Sequence, residues 1–445
     1  MASSVPRLHD LTRTRFDEFA SRNLPVIVTD ATQLWRSSRE WADPTTGAPD
    51  VCKLGALFGH HAVTVHTADG QCSEMSVKEY ASLWNEAAAS TSEGGNGSAF
   101  PYLKDWHLAA LEPDYAAYEV PSYLGEDWLN EHWTARAAAG SAAATATGGD
   151  HRFVYVGPAG SRTRLHADVL FSYSWSANVV GRKRWRLVPS ELRHSCSDGA
   201  TRPLASDLSA LPEVAPIEIV QNAGELLFVP SGWYHEVENL EDTISINHNW
   251  LNAHNVHWAA VKLSEVLADV KAGLSADDAS DGELCEDLLD RRCGMGLCGL
   301  CELLEGVIAR RRTAPPDEGG GGGGDGGGGG GGGGGTRSGS GSTTAAERAF
   351  GIQRAAATLG KVLELIEEEY ELESLDPAMQ AAVVRQGELL RELQLEPAAA
   401  APPAAAAALG PVRDVAPAPA PHAGNVDMAD AVGDETGRES HKRKR

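Results

Sequence analysis

Basic residues are scarce in this chain: 38 lysines and arginines stand against 62 aspartates and glutamates in 445 residues, a formal net charge of −24. So acidic a surface repels a phosphate backbone, which disfavours direct nucleic-acid binding through a basic face and makes a protein or a small molecule the better-fitting partner. Cysteine is sparse too. Seven of them, an odd number at irregular spacings, do not build the disulfide framework of a small secreted domain. No apolar run approaches the length that a membrane helix needs, and the opening MASSVPRLHDLTRTRF has no apolar stretch to act as a signal peptide. The expectation is a soluble protein of a reducing compartment, in the cytoplasm with a nuclear pool open, touching no membrane.

Aromatic residues are 6 % of the chain, yet Tyr102, Trp106, Tyr115, Tyr118, Tyr123, Trp128 and Trp133 crowd between Pro101 and Trp133, which predicts a segment wrapped against a core. Residues 1–135 read as an N-terminal α/β region packing on a strand-rich barrel, with a short helix at Leu11–Ser21 and a β-branched strand at Pro25–Thr29. Residues 136–150 are an Ala/Gly-rich loop, and Glu93–Ser98 is a shorter Gly/Ser stretch. Residues 151–255, the barrel itself, change texture to short apolar runs cut by Gly, Pro, Asn and Asp. Strands are predicted at Phe153–Val156, Arg164–Asp168, Phe171–Val180, Arg184–Val188, Ile217–Gln221, Leu226–Val229, Tyr234–Glu238 and Thr243–Asn249. About eight strands is what a double-stranded β-helix, or jelly roll, requires. Gly181 and Gly224 stand at turns between strands, free to take positive φ. The expected fold class is therefore α+β, a jelly roll with flanking N- and C-terminal helices.

Residues 256–312 return to helical spacing, through Val261, Leu263, Val266, Leu267 and Val270, then Leu284, Leu288 and Leu289, then Leu300, Leu303, Leu304 and Ile308. Such helices would brace the barrel or a homodimer partner. Residues 313–343 hold Gly319–Gly335, broken only by Asp325, a composition that packs nothing and reads as a flexible linker. Residues 344–396 read as one or two amphipathic helices (Leu359, Val362, Leu363, Leu365, Ile366) able to rejoin the earlier helices. Residues 397–445 are an Ala/Pro tail, expected to be disordered. It ends in His441-Lys442-Arg443-Lys444-Arg445, a weak nuclear signal or, more plainly, a solvated terminus.

The chemistry concentrates in the strand-rich region. His166 and Asp168 stand two apart on a predicted strand, so both side chains project from one face as a preformed chelating pair. His235 follows Pro230-Ser231-Gly232-Trp233-Tyr234 at the start of a later strand, which a jelly roll can bring beside the first. Two imidazoles and a carboxylate cover one face of an octahedron and leave three positions open, the arrangement of non-heme Fe(II) oxygenases. Taken singly, a His-x-Asp pair is weak and a lone histidine is more often a core or surface residue. Lys183 changes the balance. Alternation in Arg182-Lys183-Arg184 sends its neighbours outward and Lys183 inward, and a buried ammonium needs an anionic partner.

With these residues goes a series of ordered blocks. They are Phe153-Val154-Tyr155-Val156-Gly157-Pro158, Thr163-x-x-His166-Ala167-Asp168, Gly181-Arg182-Lys183-Arg184-Trp185, Gly224-Glu225, Phe228-Val229-Pro230-Ser231-Gly232-Trp233-Tyr234-His235, Asn239-Leu240 and Ser245-Ile246-Asn247. Over roughly Leu24 to Asn255 the chain resembles the JmjC family of 2-oxoglutarate oxygenases, with their cupin-like barrel. The resemblance implies that His166, Asp168 and His235 bind Fe(II), with 2-oxoglutarate and O2 as co-substrates. It implies that Lys183 pairs with the distal carboxylate of 2-oxoglutarate and that Thr163 gives that carboxylate a hydrogen bond. Tyr118 matches a tyrosine that closes the co-substrate pocket in relatives. Ser176 stands where many have Asn or Tyr, and Asn247 where some have Thr, so polar contacts there are expected to be rearranged.

Within the family, Tyr102-Leu103-Lys104-Asp105-Trp106-His107, Asp127-Trp128-Leu129-Asn130-Glu131 and Asp242 to Trp250 resemble a subgroup that hydroxylates a protein lysine. The implied target is the eukaryotic translation termination (release) factor. N-methyl-lysine demethylation is a competing reading, because it starts from the same oxidation. A catalytically silent scaffold is another, although all four of its diagnostic residues are intact. A metal-binding cupin of unrelated chemistry would share only the fold. Cys285, Cys293, Cys298 and Cys301 have the makings of a zinc cluster through Cys298-x-x-Cys301, but they lie in a leucine pattern where cysteine serves as a small apolar residue.

Overall fold

The structure is a computed structural model that describes residues 4–67, 70–90, 100–139, 149–197, 204–313 and 344–395. The Gly/Ser stretch at 93–98, the glycine run, the Ala/Pro tail and most of the Ala/Gly-rich loop lie outside the described residues. Thirteen strands form among those described: β1 (Arg7–Leu8), β2 (Val26–Val28), β3 (Ala62–His66), β4 (Cys72–Ser76), β5 (Tyr102–Trp106), β6 (Arg152–Gly157), β7 (Arg162–His166), β8 (Tyr173–Val180), β9 (Lys183–Val188), β10 (Ile217–Gln221), β11 (Leu226–Val229), β12 (Tyr234–Asn239) and β13 (Thr243–Trp250).

The last eight make a jelly roll, with β11-β8-β13-β6 facing β10-β9-β12-β7. The first of these sheets grows to nine strands, β2 and β1 adding beyond β11, and β5, β3 and β4 beyond β6. Every expected strand is present; several boundaries shift by a residue or two, and two of the shifts bear on the site. β7 ends at His166, so Asp168 lies past the strand rather than on it, and β8 starts at Tyr173 rather than Phe171. Between them a single 3-10 turn, Val169–Phe171, carries Leu170 at φ 54° and Phe171 at φ 48°. Non-glycine residues avoid this left-handed region. Here burial of both side chains and bonds from the Phe171 and Ser172 amides to the Asp168 and Val169 carbonyls hold them.

Strand alternation divides the large sheet into two faces. Tyr173, Trp175 and Ala177 of β8, with Ile244 and Ile246 of β13, turn out to a core shared with Phe16, Trp35, Trp41 and Tyr80 of the N-terminal region. The alternate residues, Ser174, Ser176 and Asn178 on β8 and Ser245, Asn247 and Asn249 on β13, face into the roll. Its interior is thus half polar, the other half being Trp185, Leu187, Leu227, Val229 and Val237.

Beyond β13 the chain is helical at Val256–Ala272, Ala276–Ser280, Gly282–Cys293, Leu297–Thr313, Ala345–Glu369 and Pro377–Leu395. Thr344 starts the Ala345–Glu369 helix with a capping box, its side chain accepting from the Glu347 amide while Glu347 reaches back. Leu359, Val362, Leu363 and Ile366 of that helix then pack with Leu300, Leu304, Val307 and Ile308. The helices on the two sides of residues 314–343 therefore share one core. Each fully buried leucine there contributes about 1.5–3 kcal/mol relative to exposure. The bundle is tied to the barrel by Arg354, whose Nε donates to the Ala253 carbonyl at 3.0 Å, and by Arg311, paired with Glu126 at 2.6 Å over the Trp128 ring. No helix among the described residues is long and apolar enough to cross a membrane.

Candidate metal centre

The site begins with a strand pairing. His235, second residue of β12, sits directly opposite His166, last residue of β7, and their rings lie 4.2 Å apart. Each ring is turned by the same device: His166 Nδ1 bonds the Arg164 carbonyl at 2.8 Å, and His235 Nδ1 the Trp233 carbonyl at 3.1 Å. A carbonyl only accepts, so each Nδ1 carries the hydrogen and each Nε2 keeps its lone pair. Burial, with His235 beside it, holds His166 down at about 4, so its ring is neutral at pH 7. Asp168 completes the group, and one ligand atom from each of the three lies within 4.8 Å of the others.

Asp168 is positioned from behind. The Ser174 hydroxyl donates to Oδ2 at 2.7 Å, and Asn249 Nδ2 to Oδ1 at 2.9 Å, the same amide also reaching Ser172 Oγ at 3.2 Å. Each carboxylate oxygen retains a lone pair, so these bonds orient the group without using up its capacity to ligate. Two imidazoles and a carboxylate, with one ligand atom of each brought within 4.8 Å of the others, fit an iron(II) ion.

Lys183 is the first residue of β9, four residues before the Leu187 that pairs with His235. It is 2 % exposed, and its ammonium donates to Ser245 Oγ at 2.7 Å and approaches the Tyr102 hydroxyl at 3.5 Å. Among the described residues no carboxylate pairs with it. Burial lowers it to about 7, with Lys104 adding repulsion. Hydroxyls surround it: Tyr102 is also in hydrogen-bonding reach of Thr163 and Asn239. A cavity of about 830 Å3 is lined by His166, Thr163, Tyr102 and Lys104, and on another side by Arg184, Arg186, Glu236 and Glu238.

Comparison with known proteins agrees with this geometry. A family model described as a Cupin-like domain matches residues 12–255. The 2-oxoglutarate and iron-dependent oxygenase JMJD4 of Gallus gallus is 39 % identical over 298 residues, 62 % of this chain and 67 % of that protein. The chain belongs to the cupin-like JmjC family of 2-oxoglutarate and iron-dependent oxygenases. JMJD4 of Homo sapiens is 40 % identical over 256 residues, 54 % of this chain and 58 % of that protein. The Arabidopsis thaliana protein named arginine-specific demethylase JMJ20 is 36 % identical over 304 residues, 63 % and 64 % of the two chains. The match thus spans about two thirds of these family members or somewhat less.

Thr163 and His166 are three apart, so strict alternation would set them on opposite faces of β7. A bulge prevents this. His235 and Val237 of β12 oppose His166 and Thr163, so β7 carries one extra residue between the pairs, and both side chains turn to the same face. Ser176 and Asn247 face inward and bond each other at 3.1 Å. Tyr118 is the correction. Its hydroxyl bonds His248 Nε2 at 2.5 Å, among Trp35 and Trp175. His248 alternates with Asn247 and Asn249 on β13, so this tyrosine packs on the outer face of the sheet, opposite the cavity, and does not close it.

Three participants were not singled out in the sequence, namely Tyr102, Ser174 and Asn249. A signal existed: serines and asparagines at every second position of β8 and β13, strands otherwise apolar, mark a face that binds something polar. Among the described residues one other group brings three metal-ligand atoms together, His60, His61 and Glu112. It fits a metal poorly. Trp106 Nε1 donates to His61 Nδ1 at 3.2 Å, so Nε2 carries the hydrogen and spends it on Glu112 at 3.0 Å. No such group includes a cysteine. Cys285, Cys298 and Cys301 are packed in the helical core, where burial raises their thiols and keeps them protonated.

Proposed function

We propose that this chain is an Fe(II)- and 2-oxoglutarate-dependent dioxygenase that hydroxylates a protein lysine side chain, its substrate being the eukaryotic release factor and its process translation termination. The observation that carries the oxygenase reading is the pairing of three ligand atoms within 4.8 Å of one another with an uncompensated buried ammonium at Lys183. With iron and 2-oxoglutarate bound, O2 oxidises the keto acid to succinate and CO2 and places one oxygen atom on a substrate C–H bond.

The protein's own part is positional. His166, Asp168 and His235 would hold the ion from one side and leave the other side for ligands. Lys183 offers a compact positive charge to a carboxylate, and the hydroxyls of Tyr102, Thr163 and Ser245 give it directed hydrogen bonds. The apolar wall of Trp185, Leu187 and Val237 excludes water from the far side.

Lysine hydroxylation draws its support from the subgroup blocks around Tyr102, Asp127 and Asp242 and from the JMJD4 relatives. The test is succinate formation with Fe(II) and 2-oxoglutarate, with and without purified release factor, beside mass spectrometry of that factor. Coupled turnover and one added oxygen on an unmethylated lysine are expected; turnover indifferent to the factor would contradict it. The relative named as an arginine-specific demethylase favours a second reading, in which the oxidised carbon is an N-methyl group. Formaldehyde released from methylated arginine or lysine peptides would select it. A cytoplasmic protein with a nuclear pool, and dimerisation through the C-terminal helices, complete the proposal; fractionation and light scattering test them.

A further inference from the structure

The four-stranded sheet ends at β7, which pairs with β12 on one side and, among the described residues, with no strand on the other. A terminal strand carries a row of backbone N–H and C=O groups that no ladder uses. Alternation shows where they point. The Ser161 carbonyl accepts from the Asn239 amide of β12, so the next carbonyl, that of Arg162, turns away from β12. Contacts to this outer edge come from a side chain and a loop: Lys104 Nζ donates to the Arg162 carbonyl at 3.1 Å, and the Leu165 amide to the Ser206 carbonyl at 3.4 Å. A carbonyl oxygen has two lone pairs, so that of Arg162 can accept a second bond.

The cavity follows this edge. All five residues from Arg162 to His166 line it, together with Tyr102 on the inner side of the sheet and Arg184, Glu236 and Glu238 on the outer side. A hollow that meets every residue of a strand, and both sides of its sheet, runs along the strand's free border. A further wall is made by Lys104 of β5 with His66 and Cys72 of β3 and β4, the part of the large sheet that extends past β6. At the end of β7 stands His166, of the candidate metal group.

Resting on the oxygenase reading, we propose that the protein substrate docks here in extended form and adds to β7 as one more strand. What argues for a polypeptide is the match of groups: the edge offers backbone donors and acceptors, which an extended main chain satisfies at the spacing of β-strands. What argues for the substrate is continuity, since β7 ends in His166 and a strand beside it passes the metal-binding group. Alternation then sends one substrate side chain inward beside His166 and both of its neighbours outward. Outside they meet Arg162 and Arg184, which share Glu238, and Arg186, which pairs with Glu236. That row shows both charges and selects neither sign, so the main chain carries the affinity and the flanking side chains add little.

The experiment uses a synthetic release-factor peptide centred on the residue that mass spectrometry finds oxidised. Calorimetry measures its binding to the full chain loaded with Mn(II) and 2-oxoglutarate, and the measurement is repeated with a single N-methyl group placed on the peptide backbone at each position in turn. The protein is native in every arm, so the folding of a variant does not enter. N-methylation should weaken binding roughly fivefold or more at every second residue around the target and by less than about twofold at the residues between. Alanine at the flanking positions should change affinity less than the sensitive N-methyl groups do. Uniform tolerance of N-methyl groups, in a peptide that Fe(II)-loaded protein still oxidises, would overturn the added strand and leave the oxygenase reading standing. A native chain that dimerises and excludes the peptide as it does so would give the edge to a second copy and overturn the proposal likewise. A release factor that is neither bound nor oxidised would overturn that substrate reading, and this proposal with it.

Discussion

Asn249 and Asp168 are 81 residues apart in sequence and joined by a 2.9 Å hydrogen bond from amide to carboxylate. Asp168 lies beyond the last paired residue of β7, so the strand does not fix it; Asn249 on β13 and Ser174 on β8 do. The candidate metal ligand that sequence assigned to a strand is held instead by two side chains of the facing sheet.

Asn249→Ala should therefore weaken Fe(II) binding by about 10–100-fold while leaving the barrel folded, since the carboxylate loses its orientation and not its charge. Anaerobic metal titration beside thermal melting checks this. Undiminished affinity would remove Asn249 from the positioning of Asp168.

Co-substrate binding should depend on pH through Lys183. Its ammonium, lowered to about 7 by burial, is charged below that pH and increasingly neutral above it. A bound carboxylate favours the charged form and raises its pKa. Affinity is then level below pH 7 and falls above it, by up to about tenfold per pH unit, until the pKa of the complex is passed. Calorimetry in buffers of different ionisation enthalpy should register proton uptake on binding at pH 8, and Lys183→Met should reduce it. Binding without proton uptake would contradict the assignment.

Tyr118→Phe separates the two faces of the large sheet. Loss of the bond to His248 should lower stability by about 1 kcal/mol and leave the KM for 2-oxoglutarate unchanged. A KM raised severalfold would return Tyr118 to the cavity.

The barrel was legible because its strands are short, β-branched and cut by turn residues, and the triad because two histidines and an aspartate stood in family blocks. Less visible was what depends on register. Thr163 reaches the face of His166 only through a bulge, which period-two reasoning cannot place. Tyr118 fell on the wrong face because its element is irregular, with no alternation to orient it. Tyr102 belongs to β5, outside the eight strands of the roll, and only the extension of the sheet carries it to Lys183.

Two turn glycines read from sequence carry different loads. Gly181 takes φ 77° and a Cβ there would lie 2.1 Å from the Asp242 carbonyl oxygen, whereas Gly224, at φ 88°, has nothing within 4 Å. Gly181→Ala should cost on the order of 3 kcal/mol or more, from clash added to backbone strain. Gly224→Ala should cost about 1–2 kcal/mol, from strain alone. Denaturant unfolding of both variants gives the comparison, and equal losses would contradict it.

The most direct test is anaerobic equilibrium dialysis of Fe(II) against the native chain and against His166→Ala, Asp168→Ala and His235→Ala. One ion per native chain is expected, with each variant losing it while still melting cooperatively. Iron retained at native affinity by any folded variant of the three would contradict the account.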